Sequence, residues 1–294
     1  MRGDFWQQVL QGGAQVPESE PLDDLTTELF DMLGNPDPRT REELAYPVLA
    51  TWISEGVYDD LLPGIGDGAT SGLTTGLRGD GDDTVFRRSF SALVLAEVVS
   101  RTNAISAVPP ATLLTWGDRV TTWLTRERDL RGFVAGKGWA HAVAHGADVL
   151  GQLGRSSHFG DAELTVLLDV VGDRVLLPTD YRFHHGEDDR LAYAVMAILH
   201  RNLLPSSVLE PWVSRFGESL QAPRQVTEWP NATAFNAQTF LRALHLQLGA
   251  GVRGQPTAAD EALFANPPEH RADLILAIVD ALRAASPWLF AQRS

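Results

Sequence analysis

Two histidines and an aspartate recur at short spacing near the middle of the chain, within residues 138–148. His141, His145 and Asp148 stand at i, i+4 and i+7, positions that share one face of an α-helix. Two imidazole nitrogens and one carboxylate can ligate a divalent transition metal, either zinc, iron or manganese, and leave coordination positions open for water or substrate. The spacing therefore predicts a metal site at these three residues.

The same spacing also fits a site that holds no metal. Buried polar groups in proteins are hydrogen-bonded, so Asp148 would orient His145 and tie neighbouring helices together. Small residues around the histidines would equally allow a ligand to approach the helix closely. A metal site, a structural network and a metal-free ligand pocket all stay open at this point.

The composition is that of a globular protein with an acidic surface. The 294 residues include no cysteine, which excludes disulfides, thiolate zinc sites and a cysteine nucleophile. The net charge of −14 disfavours nucleic-acid phosphates and anionic membranes as partners. No apolar run approaches the roughly 20 residues of a membrane span, and the first residues carry no apolar signal core. We expect a cytoplasmic protein that binds neither nucleic acid nor membrane.

The elements that would position the histidines are helices in a repeat. Apolar periodicity is helical almost throughout, and arginines precede alanine- and leucine-rich helices at 42–54, 89–100 and 191–202. A period of about 40–50 residues with paired helices is typical of HEAT or armadillo solenoids. The sequence thus predicts an all-α fold, an α/α solenoid of about five to six helix pairs. It would form a single domain over residues 1–294, with residues 1–20 and 286–294 as caps or tails.

Two groups of motifs carry a family resemblance. Residues 33–41 and 82–87 resemble the helix–turn–helix of HEAT repeats. Residues 136–148 contain Gly-Trp-Ala-His-x-x-x-His-Gly-Ala-Asp and resemble the signature of a bacterial domain family of unassigned function. That family also carries an acidic pair before an arginine, as at residues 188–190. The resemblance implies a HEAT-like fold and no particular activity.

In a solenoid the inner helices stand side by side and line a concave groove. We expect a peptide, a protein or a small molecule to bind in this groove, which the central His141/His145/Asp148 helix would dominate. The predicted ligand-binding residues are Lys137, His141, His145, Asp148, Gln152, His184, His185, Glu187, Arg190, Arg201 and Asn236.

An alternative is a metal-dependent hydrolase or oxygenase with the triplet as ligands. Glu187 or His184 would then act as general base for a metal-bound water. HEAT-repeat hydroxylases of the deoxyhypusine hydroxylase type place metal on inner helices, but their paired His-Glu motifs are absent from this chain.

Other motifs have simpler interpretations. The glycine-rich residues 64–81 lack a preceding strand and a Walker lysine, so they are expected to form a flexible loop between helices. The aspartates in residues 80–83 are expected to cap a helix rather than bind calcium. Trp229 would shape a groove wall. The remaining tryptophans singled out, expected in the core, are Trp52, Trp116, Trp123, Trp139 and Trp212.

Overall fold

The computed structural model describes residues 2–77, 81–221, 230–254, 256–286 and 289, and these residues are mostly helical. Its α-helices are α1 (Gly3–Gln11), α2 (Leu22–Met32), α3 (Tyr46–Ser54), α4 (Leu62–Gly72), α5 (Thr84–Ile105), α6 (Pro110–Arg126), α7 (Ala142–Arg155), α8 (Asp161–Leu176), α9 (Glu187–Leu199), α10 (Ser206–Ser219), α11 (Ala232–Ala250), α12 (Ala258–Leu263) and α13 (Arg271–Ala285). A π-helical segment, Arg39–Ala45, leads into α3, and a 3₁₀ turn, Asp59–Leu61, leads into α4. Two short antiparallel strands, β1 (Phe133–Val134) and β2 (Gly138–Trp139), form a hairpin before α7.

The helices pack within two compact units, Met1–Val149 (unit 1) and Leu150–Ser294 (unit 2). In unit 1, α5 packs on α3 and α4, and α4 also packs on α6. In unit 2, α9 packs on α8 and α11, and α10 packs on α8 and α13. Helices therefore contact both a hairpin partner and the equivalent helix of a neighbouring pair, as in an α-solenoid. The predicted all-α, solenoid-like fold class is confirmed, while the single domain over residues 1–294 stays a prediction.

Polar side chains accept hydrogen bonds from backbone N–H groups at the starts of α5 and α11. The Asp82 carboxylate accepts a 2.9 Å hydrogen bond from the Thr84 backbone at the start of α5. The Asn231 side chain accepts a 2.8 Å hydrogen bond from the Ala234 backbone at the start of α11. An acceptor at this position satisfies a backbone N–H that has no partner within the helix.

The glycine-rich segment was wrongly expected to be a loop, because its residues 64–72 lie in helix α4. Two of its glycines allow other helices to approach closely. A Cβ on Gly66 would lie 2.1 Å from the Trp116 ring, and a Cβ on Gly72 would lie 2.0 Å from the Ser91 hydroxyl. Tight packing thus compensates for the low helix propensity of glycine. Residues 78–80 lie outside the described residues, as do Trp229 and most of 286–294.

The central helix begins later than the sequence pattern predicts. Gly136, Gly138 and His141 have φ angles of +76°, +75° and +56°. These left-handed conformations cannot continue a right-handed helix, so α7 begins only at Ala142. The prediction that His141 shares one helix face with His145 and Asp148 is therefore wrong.

Candidate functional site

The π-helical segment Arg39–Ala45 holds the β1–β2 hairpin in place through hydrogen bonds. The fully buried Arg41 guanidinium donates hydrogen bonds to the carbonyls of Lys137, at 2.6 Å, and of Trp139, at 3.3 Å. Glu42 Oε1 accepts a 2.7 Å hydrogen bond from the Trp139 backbone. The Arg41 guanidinium also lies 4.0 Å from the Phe86 ring centroid. Charge-assisted bonds are stronger than neutral ones, so the backbone that carries Trp139 is held rigidly.

A row of rings runs from the hairpin to α7. Phe133, which is 52% exposed, packs edge-on against Trp139 at a centroid distance of 5.2 Å. Trp139 stacks on His141 at 4.6 Å, and the His141 ring lies 5.7 Å from that of His145. Trp139 is half-buried, so its expected place in the core is wrong. The four other tryptophans expected there are buried: Trp52, Trp116, Trp123 and Trp212.

His145 is tied to α5 through Ser89. Its Nδ1 lies 2.7 Å from Ser89 Oγ and 3.2 Å from the Ser89 carbonyl oxygen, and Ser89 Oγ also bonds the Ala140 carbonyl. Carbonyl oxygens only accept hydrogen bonds. The serine hydrogen therefore goes to Ala140, and Nδ1 of His145 carries a hydrogen.

The Ser89–His145 pair is structural rather than catalytic. Its distance satisfies the geometry of a nucleophile and its base. However, Ser89 is fully buried, and its hydroxyl donates to a backbone carbonyl. The pair therefore fixes the ring of His145, which is itself only 7% exposed. No motif in the sequence singles out Ser89, which lies 56 residues from its partner.

The Glu97 carboxyl of α5 lies against Tyr46, the first residue of α3. Tyr46 donates a 2.8 Å hydrogen bond to Glu97 Oε1, and the Tyr46 ring packs edge-on against Phe90. Burial raises the pKa of the Glu97 carboxyl, the Tyr46 hydrogen bond opposes the rise, and the negative charge of Asp148 adds to it. Glu97 is thus held in a poorly solvated position near a second carboxylate. Sequence analysis missed both Tyr46 and Glu97.

The geometry does not support the predicted metal site. His141 precedes α7 instead of lying on it, and Nδ1 of His145 bonds Ser89. Across the described ranges, no group of three or more histidines, aspartates and glutamates is placed to hold a metal ion.

Lys137 is another predicted ligand-binding residue of unit 1. It lies in the hairpin turn, and its Nζ pairs with the Asp83 carboxylate at 2.6 and 2.8 Å. The ion pair fastens the hairpin to the start of α5.

In unit 2, Asn236 organises the segment before α9. Its buried side chain accepts a 2.7 Å bond from the Phe183 backbone and donates a 2.9 Å bond to the Tyr181 carbonyl. His184 is exposed, and its ring lies 4.2 Å from that of His185. Asn236 therefore fixes the backbone directly before the two histidines.

The other predicted residues of unit 2 lie along α7 and α9. Glu187 is buried and accepts a 2.8 Å bond from the His185 backbone. Arg201 donates to the carbonyls of Gly154 and Phe159, so it holds the turn after α7. The remaining two are Gln152, half-buried on α7, and Arg190, exposed on α9. Convergence of the predicted residues in one groove stays a prediction.

The chain is therefore an all-α, solenoid-like protein. No motif in its sequence assigns an activity to it. The chain belongs to the family described as protein of unknown function (DUF2785), whose sequence model matches residues 73–246, more than half of the chain. Predicted membership of a family without assigned function is confirmed, while the HEAT-repeat resemblance stays a prediction. No curated protein and no solved structure matches the chain significantly. In the part of the chain that the structure describes, no helix is long and apolar enough to cross a membrane.

Proposed function

We propose that the chain is a non-catalytic binding module that holds a basic peptide segment of a partner protein in unit 1. The site, here called the Glu97 site, consists of Tyr46, Glu97, Trp139, His141 and Asp148. The observation that carries the proposal is the partly buried Glu97 carboxyl beside Asp148, on the same unit as a rigidly held, half-exposed aromatic stack.

The electrostatics of the Glu97 site favour a cation. The negative charge of Asp148 repels that of Glu97, and burial of Glu97 strengthens the repulsion because the local dielectric constant is low. An arginine or lysine side chain between them would remove this repulsion and form charge-assisted hydrogen bonds. The net charge of −14 would also steer a basic segment toward the chain.

The aromatic stack favours a peptide over a single small cation. From Ala142, the first residue of α7, to Asp148 the helix rises about 9 Å. An extended peptide covers this distance with about three residues. If a basic residue of the peptide bound Glu97 and Asp148, an apolar residue a few positions along the peptide would thus lie near Trp139. Because the bonds from Arg41 and Glu42 hold the Trp139 backbone in place, little ordering is required on binding.

Isothermal titration with two synthetic peptides tests the proposal. One peptide carries arginine and leucine two positions apart among alanines, and the other has glutamine in place of the arginine. We expect the arginine peptide to bind about tenfold more tightly, and more weakly as salt increases. Equal binding of the two peptides, or none by the arginine peptide, would overturn the proposal. Binding of spermidine without binding of the arginine peptide would also overturn it.

A matched pair of variants distinguishes the site from general charge attraction. Glu97→Gln removes one charge from the site, and Glu55→Gln removes one charge from an exposed position at the end of α3. We expect Glu97→Gln to weaken the arginine peptide about tenfold and Glu55→Gln to change its affinity less than about twofold. Equal weakening by both variants contradicts a specific site.

A further inference from the structure

 A cavity lies in unit 2, whereas the Glu97 site belongs to unit 1. Its volume is about 270 Å³. That is below the roughly 300–1,000 Å³ of pockets for drug-sized ligands, so it suits a small molecule. It lies between the C-terminal ends of α9 and α11 and the turn before α13, and its apolar lining includes Met196, Leu248, Phe264, Pro267 and Pro268.

His200 is the first polar group of the cavity lining. It is only 8% exposed, and neither ring nitrogen makes a hydrogen bond of normal geometry. Burial lowers the pKa of His200, the nearby carbonyls of Leu263 and Asn266 oppose this, and Arg155 adds to it. A buried polar group without a hydrogen bond costs free energy. A ligand that bonds this ring would therefore recover that cost.

Arg271 is the second polar group of the lining. Its Nε donates to the Leu248 carbonyl at 2.6 Å and its Nη2 to the Gly249 carbonyl at 2.7 Å. Within the described residues, no carboxylate forms an ion pair with Arg271. The other nearby cation, Arg155, is paired with Asp260 at 3.1 Å. The cavity therefore carries a positive charge without an acidic partner, in a chain whose net charge is −14.

We infer that this cavity binds a small monocarboxylate with an apolar body, either aromatic or branched. The carboxylate would accept hydrogen bonds from Arg271 and from the His200 ring, because guanidinium groups match carboxylates in charge and geometry. The apolar body would pack on Phe264 and the two prolines. This site is separate from the Glu97 site and does not depend on the peptide proposal.

Benzoate is the probe, with benzyl alcohol as its uncharged counterpart. Nitrogen-detected NMR of the histidine rings follows a titration up to about 10 mM, ten times a millimolar dissociation constant. We expect benzoate to shift the His200 ring signals in a saturable way and to bind about tenfold more tightly than benzyl alcohol. An unchanged His200 signal, or equal binding of the two probes, would overturn the inference.

Two variants test the two polar groups independently. His200→Phe keeps a ring of similar size without nitrogens, and Arg271→Gln keeps a donor for the α11 carbonyls without the charge. We expect each to weaken benzoate about tenfold, whereas Arg242→Gln, an exposed arginine on α11 outside the lining, changes affinity less than about twofold. Should Arg271→Gln fail to fold, His200→Phe decides alone. Unchanged benzoate affinity in His200→Phe contradicts the inference.

Discussion

The hydroxyl of Tyr46 donates a 2.8 Å hydrogen bond to Oε1 of Glu97 and thereby holds this carboxyl in a poorly solvated position near Asp148. The arrangement is unfavourable for the charged form of Glu97, because burial and a neighbouring negative charge both raise its pKa. Charged groups in positions that destabilise the folded protein are common at functional sites.

The first prediction concerns Glu97 and pH. A raised pKa in the folded state means that the folded chain binds more protons, so stability falls as pH rises from the unfolded pKa through the folded pKa. Glu97→Gln keeps the acceptor for Tyr46 and removes the charge. We expect the variant to unfold at a higher temperature than wild type at pH 7, with the difference shrinking toward pH 4 in thermal unfolding scans. A variant less stable than wild type at pH 7 would contradict this.

The second prediction concerns the bond between Ser89 and His145. Ser89→Ala leaves His145 Nδ1 and the Ala140 carbonyl without this partner, so we expect a loss of about 1–3 kcal/mol in urea unfolding. Ser91→Ala is the matched control, because the buried Ser91 hydroxyl has no hydrogen bond. Its replacement is expected to change stability by less than about 0.5 kcal/mol. Similar losses in both variants would argue against the tie between α5 and α7.

The third prediction concerns the hairpin before α7. Gly136 and Gly138 both have left-handed backbones, but only at Gly138 would a Cβ meet another group, at 2.3 Å from Glu42 Oε1. Gly136→Ala should cost about 1–2 kcal/mol from backbone strain. Gly138→Ala should cost more and should also weaken the arginine peptide, because it displaces Trp139. If the two variants lowered stability equally and peptide affinity equally, the anchoring of the hairpin by Glu42 would be contradicted.

The fourth prediction concerns α4. Gly68→Ala has room for a side chain on an exposed part of the helix, so we expect a gain of about 0.5–1 kcal/mol. Gly66→Ala would clash with Trp116 and should destabilise the chain by several kcal/mol in denaturant titrations. No gain from Gly68→Ala would argue that this segment is not helical.

The fifth prediction concerns His200. The pKa of His200 is lower in the folded chain than in the unfolded chain, so the unfolded chain is protonated at a higher pH. Stability therefore falls as pH decreases below the pKa of the unfolded chain, about 6.5. His200→Phe cannot be protonated and should lose less stability between pH 7 and pH 5. Parallel stability curves for the two proteins would contradict this.

Sequence reasoning succeeded where apolar periodicity dominates. Helices such as α5 and α9 carry such patterns. It failed at α4, because glycines indicate a loop unless their neighbours in space are known, as Trp116 is for Gly66. It failed at the hairpin because the i, i+4 spacing of His141 and His145 is compatible with a helix, and only the backbone reveals the left-handed His141.

The candidate site was only partly predictable for a related reason. His141, His145 and Asp148 lie in one recognisable segment, but their partners Ser89 and Glu97 come from α5, about 50 residues earlier. Neither forms a motif with the histidines in the sequence. Packing between helices brings them together, and one sequence alone does not record that packing.

The most direct test of the central claim is titration of the arginine peptide into wild type and Glu97→Gln at pH 7. We predict that the variant binds about tenfold more weakly although it unfolds at a higher temperature, because the charge that binds the peptide also destabilises the free chain. Unchanged peptide affinity in a stably folded Glu97→Gln would contradict the assignment of Glu97 to a cation-binding site.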